Sequence, residues 1–258
     1  MAKRKRGRPP KRKPPKFHLG QASSLPGSLW GLWLNHILKH GPTWLYVATF
    51  LSHAFCCRIT EVLRLRARDI SIKDKAVHVS SMKRAKAVDK RLLRVLLPKL
   101  TSLKHKGVRR KRQRNAGARG LVSWTDAWSW PEKPSGYLFP SDRQDAKEAR
   151  RTKDTACKAT GRLRETFAPK CKDPPVTRTI RTHSARHRMI SDLKASDIPD
   201  TISMRMARIN DTKTFAKYGQ LSDQQVGNVL DRSAKLRKTL GEIYGVYGTT
   251  TKRNKRNS

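Results

Sequence analysis

The chain has 258 residues, 36% of them hydrophobic, with Lys and Arg 59 against Asp and Glu 19, a formal net charge of +40. That length accommodates one large domain or two small ones. No apolar run approaches the ~20 residues of a membrane span, and the basic N-terminus lacks the apolar stretch of a secretory signal.

So large an excess of cations favours a polyanionic partner, because each neutralised phosphate releases condensed counterions. Double-stranded DNA is the expected partner, without a membrane. The cysteines Cys56, Cys57, Cys157 and Cys171 form no C-x-x-C pair and have no histidines at finger spacing. A structural zinc site is therefore not expected, and a reducing intracellular compartment fits them.

Residues 1–16 are almost wholly Lys, Arg, Pro and Gly and cannot bury a core, so a disordered arm is expected. Within the arm, Arg6-Gly7-Arg8-Pro9 resembles an AT-hook. Gly7 lets the backbone approach a groove floor and Pro9 keeps the chain extended. Arg6 and Arg8 can then lie along a narrow, electronegative A·T minor groove. The same basic run also fits a nuclear-import signal, and the two readings are compatible. With a Gly/Pro/Ser linker the arm extends over residues 1–28, ahead of a folded domain over 29–247 and a basic tail over 248–258.

From Leu29 to Cys57 the pattern is helical and apolar, interrupted at Gly41-Pro42. Trp30, Trp33, Leu34 and Ile37 share one face, and Trp44, Val47, Ala48, Leu51 and Phe55 the next, as core positions do. A second helical pattern runs from Arg58 to Ile70, with Ile59, Val62, Leu63 and Leu65 as its buried stripe. Arg58 and Glu61 stand one turn apart, so an ordinary ion pair between them is one reading of both residues. A strand over Ala76–Ser81, a lysine turn at Met82-Lys83-Arg84-Ala85-Lys86 and an extended run over Arg91–Leu97 predict a β-hairpin.

Lys104 to Arg119 holds eight Lys or Arg and no carboxylate, which reads as a loop along a phosphate backbone or as disorder. Trp124, Trp128 and Trp130 fit either an apolar surface or a partner site. A helix is expected around Ala146–Phe167. Another starts near His183-Ser184-Ala185-Arg186-His187, with Thr182 as N-cap and with Met189, Ile190 and Leu193 in the core. His183 and Arg186, three residues apart, share a face. Asp211 and Thr212 can cap a short helix leading to Tyr218, and residues 222–244 are again helical in pattern.

In order and spacing these motifs resemble the tyrosine recombinases of the phage integrase family. The R-x-x-E-x-x-x-L-x-x-x-D-I spacing from Arg58 resembles the family's first catalytic box. Gly136-Tyr137-Leu138-Phe139-Pro140 resembles a short segment that often precedes its second half. His183, Arg186 and Tyr218 stand at the family's separations. The resemblance implies a mainly α fold with a small antiparallel β-sheet near residues 76–97. It also implies a site-specific DNA strand transferase, from a mobile element, with Arg58, Lys83, His183, Arg186 and Tyr218 as catalytic residues.

In that role Tyr218 attacks the scissile phosphorus to give a 3′-phosphotyrosyl link and a free 5′-hydroxyl. Arg58 and Arg186 grip the non-bridging oxygens, Lys83 protonates the departing oxygen and His183 assists proton removal from the tyrosine. Lys83 ends the strand directly and is preferred over Lys86, though both are open. The resemblance implies chemistry that needs no metal or other cofactor and homo-oligomers on DNA, while the import-like basic run makes the nucleus the expected compartment.

Two features depart from the family. A clamp domain is not recognisable ahead of residue 29. Ile209 stands nine positions before the tyrosine, where the family usually has His or Trp, and it cannot hydrogen-bond a phosphate oxygen. Two other readings therefore stay open: a repurposed recombinase fold that holds A·T-rich DNA without cutting it, and a type IB-like topoisomerase.

Overall fold

A computed structural model describes residues 22, 25, 27–80, 87–91, 94–115, 121–142, 149–167, 177–196 and 198–216. The fold is mainly α with small antiparallel sheets. Helices α1 (Gly27–His40) and α2 (Thr43–Ala54) pack against each other across a tight turn at Gly41-Pro42. Trp30, Trp33 and Ile37 of α1 are buried at helical spacing, as their periodicity predicts. Helix α2 is buried nearly all round, through Trp44, Leu45, Val47, Ala48, Phe50 and Leu51, so it forms the centre of the main core. The turn itself needs glycine: a Cβ on Gly41 would stand 2.6 Å from Leu163 Cδ1 and 2.8 Å from the Ile37 carbonyl.

Helix α3 is only Ile59–Val62, shorter than the helical pattern over Arg58–Ile70 predicts. The chain leaves the helix because backbone partners elsewhere compete for it. Leu138 N–H donates to the Leu65 carbonyl (2.9 Å), and Ala67 and Arg68 N–H donate to the Gly136 and Pro134 carbonyls (2.9 Å each). Those bonds fasten the 134–139 segment, with Leu138 and Phe139 fully buried, onto the core.

Strands β1 (Ile70–Ser71), β2 (Ala76–Val79) and β3 (Val88–Arg91) make a three-stranded antiparallel sheet in that order. Val77 and Val79 point into the core, while His78 faces out and meets Asp89 across the strands at 2.8 Å. The expected turn with Lys83 and Lys86 lies outside the described residues. The second extended run sits earlier than predicted. After β3 a 3₁₀ turn over Arg94–Leu96 leads into helix α4 (Leu97–Lys106), started by Pro98 in its first turn and anchored by Leu100 and Leu103.

As far as Asn115, the basic stretch read as a loop or as disorder is instead the end of α4 and a strand, and its last residues, 116–119, lie outside the described residues. β4 (Val108–Asn115) pairs antiparallel with β5 (Leu121–Trp128). Alternation along β4 explains how so cationic a strand can fold. Arg109 and Lys111 are exposed, whereas Arg110 and Arg112 turn inward to the carbonyls of Leu38 and His40 at the C-terminal end of α1. Cations are favoured there by the unpaired carbonyls and the helix dipole. Asp126 of β5 completes the clasp, accepting the Thr43 N–H and hydroxyl (3.0 Å each) at the start of α2 and Arg112 Nε at 2.8 Å. Trp128 is buried and donates to the Leu138 carbonyl (2.8 Å), while Trp124 stays exposed.

Helix α5 (Lys153–Phe167) packs on α1 and starts later than the predicted Ala146, with the Thr152 hydroxyl accepting Thr155 N–H. Helices α6 (Ser184–Ala195), α7 (Asp200–Ala207) and α8 (Thr212–Ala216) form a second apolar cluster of Met189, Ile190, Leu193, Ala207, Ile209 and Phe215 with Cys56. Asp211 caps α8 as expected, accepting Thr214 N–H at 2.8 Å. Thr182 does not cap α6. The N-cap is His183 in helical geometry, and the Ser184 hydroxyl turns back to accept Arg181 N–H at 3.0 Å. No helix among the described residues is long and apolar enough to cross a membrane.

Candidate active site

The site forms where α2 ends. Past Phe55 the chain turns through Cys56 in a left-handed conformation (φ 51°) and leaves Arg58 extended, as the N-cap of α3. The Ser52 hydroxyl donates to the Cys57 carbonyl at 2.7 Å and secures the turn. Arg58 N–H donates to Glu61 Oε2 (2.7 Å), fastening the first turn of α3, and its guanidinium Nη1 donates to Glu61 Oε1 (3.2 Å). The local ion pair anticipated as the plainer reading of Arg58 is thus present. It does not bury the arginine: the Arg58 side chain is 38% exposed, whereas that of Glu61 is 1% exposed.

Glu61 holds a second cation. Arg208, in a left-handed conformation at the C-cap of α7 (φ 54°, ψ 48°), donates Nη1 to the same Oε1 at 3.2 Å. A carboxylate this deeply buried requires charge partners and hydrogen bonds to remain ionised. Two guanidiniums on one oxygen give the cluster a net positive charge, with Arg58 as its outward member.

Arg186 points the other way. Its guanidinium is fully buried, donating Nη1 to the Cys56 carbonyl (3.2 Å) and Nη2 to the Ala207 carbonyl. It therefore joins the end of α2 to the end of α7. Lys90 of β3 approaches the same turn, donating Nζ to the carbonyls of Phe55 (3.1 Å) and Cys56 (3.2 Å) from a buried position.

His183 lies between these groups, partly buried, and its Nδ1 has no hydrogen-bond partner among the described residues. Burial lowers its pKa from 6.5 to about 4; Arg186, Arg58 and Lys153 push the same way and Glu61 opposes them. The ring is neutral at pH 7 and able to accept or donate a proton through one nitrogen. His187 is also held down to about 4, by burial and then by His183 and Arg186.

The fold thus draws Arg58, His183 and Arg186 into one electrostatic neighbourhood. Lys83, Tyr218 and the Arg6-Gly7-Arg8-Pro9 arm lie outside the described residues. Ile209 is buried in the second cluster, so its side chain belongs to packing rather than to the Glu61 network. Glu61 as a bridge, Arg208 and Lys90 were not singled out by the sequence as parts of this centre. The only advance signal was Glu61 standing three residues after Arg58.

Beyond α3 an open cleft of about 490 Å³ is lined by Arg64, Arg66, Arg68 and Arg150 with His78, Ser80 and Tyr137, against the single carboxylate of Asp69. Arg66 is oriented there by stacking over the Tyr137 ring (4.8 Å) and by donating to its hydroxyl (3.2 Å). Such a concentration of guanidiniums suits phosphate oxygens.

Solved structures share this architecture. The XerA recombinase is 13% identical, with 85% of this chain and 66% of that chain covered at a TM-score of 0.56. The Tn1549 transposon integrase in complex with transposon right-end DNA is 11% identical, covering 88% and 67% at 0.57. The XerH site-specific recombinase bound to its difH substrate is 11% identical, covering 84% and 56% at 0.51. At these identities the likeness is one of fold, and the chain spans about two thirds or less of the length of these proteins. A comparison with curated proteins finds no match. The model of the phage integrase family matches residues 33–225, about three quarters of the sequence, and the chain belongs to that family, the tyrosine recombinases.

Proposed function

We propose that this chain breaks and rejoins double-stranded DNA at a specific site through a 3′-phosphotyrosyl intermediate on Tyr218. One observation carries the reading: an outward arginine, a neutral half-buried histidine and a second arginine converge at the end of α2, from segments far apart in sequence. Structural pairing alone would account for Arg58 and Glu61, but it gives no reason for an imidazole in their electrostatic reach whose Nδ1 has no hydrogen-bond partner among the described residues.

The chemistry follows from the groups. The Tyr218 oxygen attacks phosphorus while the neutral His183 takes up its proton, and the 5′-oxygen departs with a proton from Lys83 (or Lys86). Arg58, with its exposed guanidinium, holds a non-bridging oxygen and stabilises the charge that builds there. Arg186 grips the other by exchanging the Ala207 carbonyl for a phosphate oxygen, an exchange of acceptor at one donor nitrogen. The ester energy stays in the phosphotyrosyl bond, so a 5′-hydroxyl of another strand can reverse the step. The Arg6–Pro9 arm adds a minor-groove contact on A·T-rich flanks.

Covalent trapping tests this reading. The protein is incubated with labelled A·T-rich duplexes carrying a nick or a bridging 5′-phosphorothiolate, and denaturing gels are run with Tyr218→Phe alongside. A DNA adduct present in the wild type and absent in the variant supports it; an adduct that survives in Tyr218→Phe assigns the nucleophile elsewhere. A second reading, a repurposed fold that binds DNA without cutting it, is favoured by the apolar packing of Ile209. Tight binding with no adduct on any duplex supports that one.

A further inference from the structure

Residues 207 and 208, at the end of α7, are fastened to the site twice. The Ala207 carbonyl accepts from Arg186, and the Arg208 side chain reaches Glu61. The next residue, Ile209, turns the opposite way into the apolar cluster, and its N–H closes back on the Met204 carbonyl at 3.0 Å. The connection between α7 and the short helix ahead of Tyr218 is therefore tied directly to the carboxylate that orients Arg58.

We propose that Arg208 is a positioning residue for strand transfer, acting on Arg58 through the shared Oε1 of Glu61; the proposal rests on the strand-transfer reading above. Paired with Arg58 alone, the buried carboxylate would neutralise the guanidinium that must face phosphate. With Arg208 on the same oxygen at the same 3.2 Å, the negative charge is divided between two cations. The exposures separate their roles: the Arg208 side chain is 9% exposed and that of Arg58 38%. Arg208 stays inside as the counter-cation, and Arg58 keeps an outward field. The backbone supports this assignment. A left-handed conformation is the natural place for Gly or Asn, and an arginine tolerates it only with strain. The structure accounts for arginine there by what its side chain reaches.

Arg208→Gly is the informative variant, because it relieves the left-handed backbone while deleting the guanidinium. Relief of the left-handed backbone should offset only part of the cost of taking one cation from the buried Glu61 carboxylate, so the thermal midpoint should fall modestly with the protein still folded, and duplex affinity should remain within about threefold. The single-turnover rate of adduct formation at saturating DNA should fall by at least about tenfold, a loss in the chemical step alone, with partial rescue by Arg208→Lys. In an Arg58→Lys background the same change should do little more, since the two residues act as one unit. An unchanged adduct rate overturns the proposal, as does a loss that merely tracks unfolding.

A second readout does not depend on activity. Rotation of the labelled Arg58 guanidinium about its Nε–Cζ bond, followed by NMR, should slow in Arg208→Gly, because Glu61 is left to pair with Arg58 alone, and unchanged or faster rotation overturns the positioning role. A wild type that forms no adduct counts against strand transfer itself, and the NMR measurement still decides whether Arg208 acts on Arg58 through Glu61.

Discussion

Lys90 and Arg186 donate to the same backbone oxygen, the carbonyl of Cys56, each at 3.2 Å and each from a buried position. The terminal carbonyls of a helix lack intrahelical partners and carry the negative end of its dipole, so cations are favoured there. At the end of α2 these two fix the turn that presents Arg58. Lys90→Met preserves length and removes the donor, leaving the Phe55 carbonyl without its lysine bond. We expect a loss of about 1–3 kcal/mol in unfolding free energy, the usual penalty for a stranded buried acceptor, offset in part by the lifted desolvation of the ammonium. Urea titration measures it. A more stable Lys90→Met would show that burying the charge outweighs its bonds.

The two histidines predict a pH dependence of stability. His183 and His187 are each held down to about 4, from an unfolded value of 6.5. Between those values the unfolded chain binds more protons than the folded one. Their contribution is thus fully present above pH 6.5 and is lost as pH falls toward 4. Shifts of this size correspond to roughly 2–4 kcal/mol per imidazole, less where the two titrate together. Urea midpoints between pH 4 and pH 8 should rise with pH, and His187→Gln should flatten part of the slope. A flat profile would show that the imidazoles are solvated.

The arginine cleft should appear in salt dependence. Arg64 and Arg68 are exposed in it, and among the described residues neither side chain makes a hydrogen bond or ion pair that holds the fold together. If DNA phosphates reach the cleft, Arg64→Ala with Arg68→Ala should lower the slope of log K against log salt by about one to two units, about one per lost phosphate contact. Thermal stability should hardly change. An unaltered slope places the DNA elsewhere.

Much of the site was legible in the sequence because it depends on local pattern. The period of Trp30, Trp33 and Ile37, the unbroken apolar run of α2, the one-turn spacing of Arg58 and Glu61 and the shared face of His183 and Arg186 are all readable along the chain. What escaped depends on partners distant in sequence. The α3 pattern looked longer because nothing in it reveals that residues 134–138 compete for its backbone. Arg110 and Arg112 read as part of a loop along a phosphate backbone or of a disordered stretch, since only the fold shows that alternate side chains of β4 meet the carbonyls of α1. Lys90 sits among polar residues and opposes Val77 only once the sheet is formed. Arg208 carries no signal of its own in the sequence, and its link to Glu61 depends on a left-handed turn that no residue type announces.

Ile209 offers a direct test of whether packing or polarity governs its position. It is 7% exposed in the cluster with Cys56, Met189, Ile190, Leu193, Ala207 and Phe215, and Phe215 belongs to the helix that leads to Tyr218. Ile209→His would place an imidazole in this apolar setting with no described acceptor beside it. The lost packing and the stranded polar group together should destabilise the protein by about 2–4 kcal/mol. Because the side chain points away from Glu61, adduct formation per folded molecule should not increase. Thermal unfolding and the trapping assay, run on one preparation, measure both quantities. A rise in adduct rate despite lower stability would mean that position 209 can turn toward the phosphate, and that its hydrogen-bonding ability, rather than its packing, sets the chemistry.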